Sequence, residues 1–141
     1  MGRGSISHLA LTASDLVRST EFFDKVLGFM GYTRVEVREE NQQLMKTRLN
    51  AWTSPNGSVT LRPAKGDSAR KRHDRDAPGL NHIAFNADDR ADVERMHSLL
   101  REMGAQILDP PAEYPYFRGY FAVYFADPDG VKFEFVHWPR S

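Results

Sequence analysis

At 141 residues, with 40% hydrophobic and 27% charged residues, the chain has the make-up of one compact globular domain and is too apolar to remain disordered. Nineteen Lys and Arg balance nineteen Asp and Glu, so no global field draws it to nucleic acid or to an anionic membrane. With no cysteine there is no disulfide, thiolate ligand or Cys nucleophile, and any metal falls to His and carboxylate.

The N-terminus, MGRGSI, has no apolar signal core and places Ile6 where a myristoylation signal needs Ser or Thr; no stretch reaches the roughly 18 apolar residues of a spanning helix. A cytoplasmic location is expected. The first element is a strand of period two from Ile6 to Leu11. A helix follows, capped by Ser14 or Asp15, striped by Leu16, Thr20, Phe23 and Leu27, and ended by Gly28. Strands are expected at residues 32–38, 43–53 and 58–63. Residues 65–79, KGDSARKRHDRDAPG, lack an apolar pattern and read as a solvated linker. The other reading is a lid over an anionic ligand, with Arg70, Lys71, Arg72 and Arg75 as donors. The order then repeats: a strand from Leu80 to Phe85, and a helix capped by Asp88 or Asp89, striped by Val93, Met96, Leu100 and Met103 and stopped by Gly104. Strands are expected at 105–109, 119–126 and 131–137.

HLALTASD from His8 overlays HIAFNADD from His82 at an offset of 82 − 8 = 74, and WTSPNG from Trp52 overlays FADPDG from Phe125 at 125 − 52 = 73. A period this long is not that of a solenoid; it is a duplicated module of about 60 residues, each βαβββ. The expectation is a single domain over 1–141, with module one at about 4–64, the linker at 65–79 and module two at 80–138.

Alternation sets Val131, Phe133 and Phe135 against a helix, and Lys132, Glu134 and Val136 on the other face. By the same parity His8 and Ala10 lie opposite Leu9 and Leu11, and His82 and Ala84 opposite Ile83 and Phe85. Two histidines and a glutamate thus occupy equivalent faces, with Ala10 and Ala84 leaving open volume beside them. Singly, a strand histidine is more often a hydrogen-bonded structural residue. As a set, two imidazoles and one carboxylate suit Zn, Fe, Mn, Ni or Co and leave coordination positions open.

The patterns H-x-A at His8, D-L-x-x-S-x-x-F-F-x-x-V-L-G-F from Asp15, N-H-I-A-F around His82 and Y-F-A-D-P-D-G-V-K-F-E-F-V from Tyr124 resemble the vicinal oxygen chelate superfamily. That group includes glyoxalase I, bleomycin-resistance proteins, fosfomycin-resistance enzymes, methylmalonyl-CoA epimerase and extradiol dioxygenases. The resemblance implies an α+β fold in which paired βαβββ modules form a cupped, barrel-like mixed sheet with helices outside, one divalent ion held by His8, His82 and Glu134, and a homodimer.

Departures from the family patterns bear on the reaction. Glyoxalase I has a fourth ligand on the last strand of module one, where the 73 offset from Glu134 lands on Leu61; methylmalonyl-CoA epimerase likewise wants a polar group there. A one-residue slip brings Thr60 or Arg62 inward instead, with Val59 and Leu61 as the core face, and the register stays open. Fosfomycin enzymes carry Thr two places after the first His, where Ala10 stands. Tyr124, ten residues before Glu134, matches a tyrosine of extradiol dioxygenases, but Pro115 stands where their acid/base histidine is expected. Tyr124 is read as a pocket wall or a catalytic group. His97, His73 and His137 are read as a helix-edge residue, a linker residue and a residue on the strand face opposite Glu134.

The run from Glu113 to Gly119 is either a substrate rim or a packed loop. Catalysis is expected from Glu134 and Tyr124, and substrate binding from Arg62, Tyr116 and Arg118. The expected protein is a metal-dependent lyase or isomerase acting on a small substrate with vicinal oxygens, with oxygen-dependent ring cleavage second. A metal-free, drug-binding protein of the bleomycin-resistance type is the alternative from another class.

Overall fold

A computed structural model describes residues 2–140, and the chain divides into two compact units, 1–71 and 72–141. The first contains β1 (His8–Ala13), α1 (Leu16–Phe29), β2 (Thr33–Val35), α2 (Glu39–Met45), β3 (Asn50–Ser54) and β4 (Gly57–Pro63). The second contains β5 (His82–Asn86), α3 (Arg90–Glu102), β6 (Gln106–Glu113), β7 (Phe121–Ala126) and β8 (Lys132–His137). Each unit forms a four-stranded mixed sheet, ordered β1-β4-β3-β2 and β5-β8-β7-β6. In each, the first strand runs parallel to the last and the remaining pairs are antiparallel. This is the α+β arrangement of repeated βαβββ expected from the duplication.

The long helices form where caps and stripes predicted them. Asp15 accepts from the Arg18 N–H and Asp89 from the Asp92 N–H, each satisfying a donor that the first helical turn leaves free. α1 buries Leu16, Phe23, Val26 and Leu27, and α3 buries Val93, Met96 and Leu100. In the second unit the face of Phe125, Phe133 and Phe85 forms stacked rings, with Phe133 centred 5.7 Å from Phe125 and 6.2 Å from Phe85.

Several details differ from expectation, among them a β2 cut to Thr33–Val35 from the expected 32–38. α1 continues through Gly28 to Phe29 and stops before Gly31, whose φ of +91° a residue with a Cβ rarely adopts. Residues 43–45, expected in a strand, end α2: EENQQLM has no period-two alternation, is rich in helix formers and puts Glu39 and Glu40 at the positive N-terminus. β6 extends to Glu113 through Pro110 and Pro111, which an edge strand accommodates, with register shifts between Ile107 and Ala112. The charged linker is not uniformly free. Gly66–Arg70 forms an exposed 3-10 turn, but the His73 N–H donates to the Asp129 carbonyl at 3.0 Å and Arg72 Nη1 to the Pro128 carbonyl at 3.3 Å. The turn at 127–130 thus fastens the second half of the linker to its own unit. Gly130, φ +84°, leaves room for that guanidinium: a Cβ there would stand 2.9 Å from Arg72 Nη2.

Pairing resolves the open register. His8 lies opposite Ser58 and His82 opposite Lys132, an offset of 132 − 58 = 74 on β4 and β8 as on β1 and β5. The counterpart of Glu134 is therefore Thr60, which faces Ala10 as Glu134 faces Ala84. Leu61 is 1% exposed and belongs, with Val59, to the core face. The change from 73 to 74 arises at the hairpins: four residues separate the paired Thr53 and Ser58, and five separate Ala126 and Lys132.

Candidate functional site

In the second unit the strand register lines up Ala84, Glu134, Tyr124 and Asp109 in one row across the sheet, beside the row of His82, Lys132, Ala126 and Gln106. Alternation turns Glu134 away from the phenylalanine face, yet it is 1% exposed. On its side of the sheet Tyr120, Ala122, Tyr124 and Val136 form a buried cluster, with Leu108, Tyr114 and Trp138 packed against it.

Each carboxylate oxygen of Glu134 has a partner. Tyr120 donates its hydroxyl to Oε2. Oε1 lies 3.1 Å from His82 Nε2. The other imidazole nitrogen fixes the tautomer: the Asn81 amide donates Nδ2–H to the Arg75 carbonyl at 3.1 Å, which turns its Oδ1 toward His82 Nδ1 at 2.7 Å. Oδ1 only accepts, so the proton sits on Nδ1 and the remaining nitrogen meets Oε1. Two lone pairs at that separation repel. A proton or a cation held between Nε2 and Oε1 relieves that repulsion. This donor set, an oriented imidazole and a buried carboxylate, fits a divalent ion.

Both nearby phenols are held neutral. Burial first, then the hydrogen bond to Glu134 and its negative charge, push Tyr120 up to about 12. Tyr124 is raised further, by burial, then by the charge of Glu134 and the neighbouring Tyr120. Near neutral pH both are hydrogen-bond donors, not bases. The Tyr124 ring also stands edge-on to His82 at 6.2 Å and to Tyr114 at 5.4 Å, with Lys132 Nζ 4.6 Å from its centroid.

Tyr116 is 58% exposed, yet its ring stacks on Tyr114 at 5.5 Å and meets Tyr120 edge-on at 5.4 Å, while Phe117 stacks on Trp138 at 4.2 Å. The loop before β7 is therefore packed and at the same time presents an aromatic rim. Arg118 is exposed in that loop. In the first unit His8 is exposed, with Nδ1 3.2 Å from Ser7 Oγ, and shares its sheet face with Ala10, Thr60 and Arg62. Among the described residues no group of three or more His, Asp or Glu side chains forms a metal cluster, and no helix is long and apolar enough to cross a membrane. An open depression of about 650 Å³ along α2 is lined by Glu36, Gln42, Lys46, Arg48 and their neighbours, none of them an expected site residue.

Residues 5–135 match the sequence pattern of the Glyoxalase/Bleomycin resistance protein/Dioxygenase superfamily. The chain belongs to that superfamily. It is 28% identical to the Bacillus subtilis protein YqjT over 131 residues, 92% of this chain and 95% of that one. It is 29% identical to the metallothiol transferase FosB of Lysinibacillus sphaericus over 131 residues, 93% of this chain and 80% of that one. Its fold overlays a glyoxylase/bleomycin resistance protein/dioxygenase domain from Frankia with a TM-score of 0.79 at 23% identity, covering 98% and 100% of the two chains.

Against this superfamily background the residue that sequence reasoning missed is Tyr120. The signal for it was present: Tyr120, Ala122, Tyr124 and Ala126 alternate on one face, so Tyr120 follows from placing Tyr124 beside Glu134.

Proposed function

We propose that the chain is a divalent-metal-dependent enzyme acting on a small substrate that presents two neighbouring oxygens, with lyase or isomerase chemistry first. His8, His82 and Glu134 are the proposed ligands, supplied by one chain or by two chains of a homodimer. The observation that carries the reading is the face-to-face approach of His82 Nε2 and Glu134 Oε1, with the proton drawn to Nδ1 by Asn81. Bound there, the ion acts as a Lewis acid on substrate oxygen, a contribution worth several kcal/mol.

The chain's own groups divide the remaining work. Tyr120 holds Oε2 of Glu134 and leaves Oε1 as the available donor atom. Tyr124, neutral and paired across the sheet with Glu134, is placed to donate a proton or a hydrogen bond where negative charge develops. Glu134 would serve as the base for a substrate proton through Oε1, on leaving the metal. Tyr116 and Arg118 form the substrate rim. A second reading is transfer of a thiol to the metal-held substrate, favoured by likeness to a metallothiol transferase across 93% of the chain; activity with a thiol co-substrate separates it from isomerisation or elimination.

The test is elemental analysis of protein purified without a histidine tag and reconstituted with Zn, Mn, Fe, Co or Ni. About one ion per chain is expected, lost in His8→Ala, His82→Ala and Glu134→Ala. Wild-type protein that takes up no ion, or three variants that retain it, would overturn the reading.

A further inference from the structure

Three side-chain polar atoms are buried without a hydrogen-bond partner among the described residues: Ser19 Oγ, Thr60 Oγ1 and Arg62 Nε. Ser19 belongs to the buried side of α1. The other two stand two residues apart on β4 and therefore share one sheet face, the face that also carries His8. Thr60 is flanked by Ala10 on β1 and Ala51 on β3, whose methyl groups offer its hydroxyl no acceptor. Arg62, flanked by Thr12, has no ion pair among the described residues, and its Nε–H is buried with nothing to accept it.

A guanidinium only donates, and a threonine hydroxyl can donate as well; neither is ordinarily buried without an acceptor. Both deficits are removed by one kind of ligand, an oxyanion, whose oxygens take the guanidinium edge side-on and the hydroxyl at the same time. We propose that Thr60 and Arg62 form an oxyanion subsite, so that the substrate carries a carboxylate, phosphate or phosphonate group in addition to its paired oxygens. As part of catalysis this rests on the enzyme reading above. His8 and Ser58 lie one row further along the same face, about 7 Å from the Thr60 row, so the acidic group and the oxygen pair belong to one small molecule.

The experiment is an amide NMR titration of the full chain, metal-free in EDTA at constant ionic strength, with inorganic phosphate in one arm and acetate in the other. Saturable shifts are expected at residues 58–63 and at Ala10 with at least one of the two anions. Arg62→Met should weaken that binding by about tenfold or more, Thr60→Val by several-fold, and Arg101→Gln, an exposed control on α3, not at all. Arg62→Lys keeps the charge and the aliphatic stem but loses Nε–H, and is expected to bind several-fold more weakly than the parent. Shifts confined to the charged segment 65–75, no saturable shift on β4 with either anion, or undiminished binding by Arg62→Met or Arg62→Lys would overturn the subsite. Since metal is excluded, the two readings fail separately: a chain that takes up metal but no anion refutes the subsite alone, and one that binds anion but no metal refutes the enzyme reading alone.

Discussion

Replacing Tyr120 with Phe removes one oxygen and leaves the ring against Tyr116 and Trp138, at 5.4 and 5.8 Å between centroids. The cost therefore falls on Glu134, which loses the donor to Oε2 while remaining 1% exposed. A hydrogen bond to a charged group contributes about 1.5–3 kcal/mol, and the stranded acceptor places this case in the upper half of that range. At pH 7 in EDTA, Tyr120→Phe is expected to lower the unfolding free energy by about 2–3 kcal/mol, read from urea denaturation followed by far-UV circular dichroism. In a Glu134→Gln background the acceptor is neutral, and the same change should cost only about 1 kcal/mol, giving a coupling of about 1–2 kcal/mol in the double-mutant cycle. The phenol reports the same contact. Because Tyr120 is pushed up to about 12, its neutral form is favoured by the fold; the associated stability is present below pH 10 and is lost as pH climbs toward 12. Glu134→Gln should shift its titration, followed at 295 nm, to lower pH. A cycle coupling below about 0.5 kcal/mol would refute the claim that the phenol secures a buried carboxylate.

Two further outcomes follow from buried charge and backbone strain. Burial raises Asp127 from 3.8 to about 6, partly opposed by the Val131 and Asp129 N–H groups that donate to its Oδ1 at 2.9 Å. The fold thus favours protonated Asp127: that stability is complete below pH 3.8 and lost as pH rises through about 6. Asp127→Asn, which keeps an acceptor at Oδ1, should flatten the decline, with a difference approaching about 3 kcal/mol by pH 7; parallel urea midpoints for parent and variant across pH 4–7 would contradict it. Lys46 ends α2 in the left-handed region at φ +56°, ψ +37°. Lys46→Gly removes that strain while keeping the backbone N–H bonded to the carbonyls of Gln42 and Gln43, and should stabilise by about 0.5–1 kcal/mol. A lowered melting temperature would count against it.

Much of the fold was legible because its signals are local. Period two on β1, β5 and β8 sorted His8, His82 and Glu134 from their core-facing neighbours, and Asp15 and Asp89 announced their helices. The misreadings were local too: Gly28 sits inside α1 because packing of Phe22, Phe23, Val26 and Leu27 outweighs one poor helix former. Thr60 and Tyr120 were harder. Thr60 was hidden by one extra residue in the second hairpin, which moved the counterpart of Glu134 off Leu61. Tyr120 fell inside the expected strand 119–126 and was given no role, although it continues the face of Tyr124.

The amino-acid order alone determined that a strand–helix–strands unit occurs twice, which face the residues of β1, β5 and β8 take, and that any metal must be bound by nitrogen and oxygen. These depend on side-chain alternation, caps and composition, all short-range. Tertiary structure decided which residue stands opposite which, that Asn81 sets the tautomer of His82, that Tyr120 bonds to Glu134, and that Nε of Arg62 is buried with no acceptor among the described residues. Strand register and the partners of buried polar groups are set by packing between segments distant in sequence, where a single inserted residue changes every pairing beyond it.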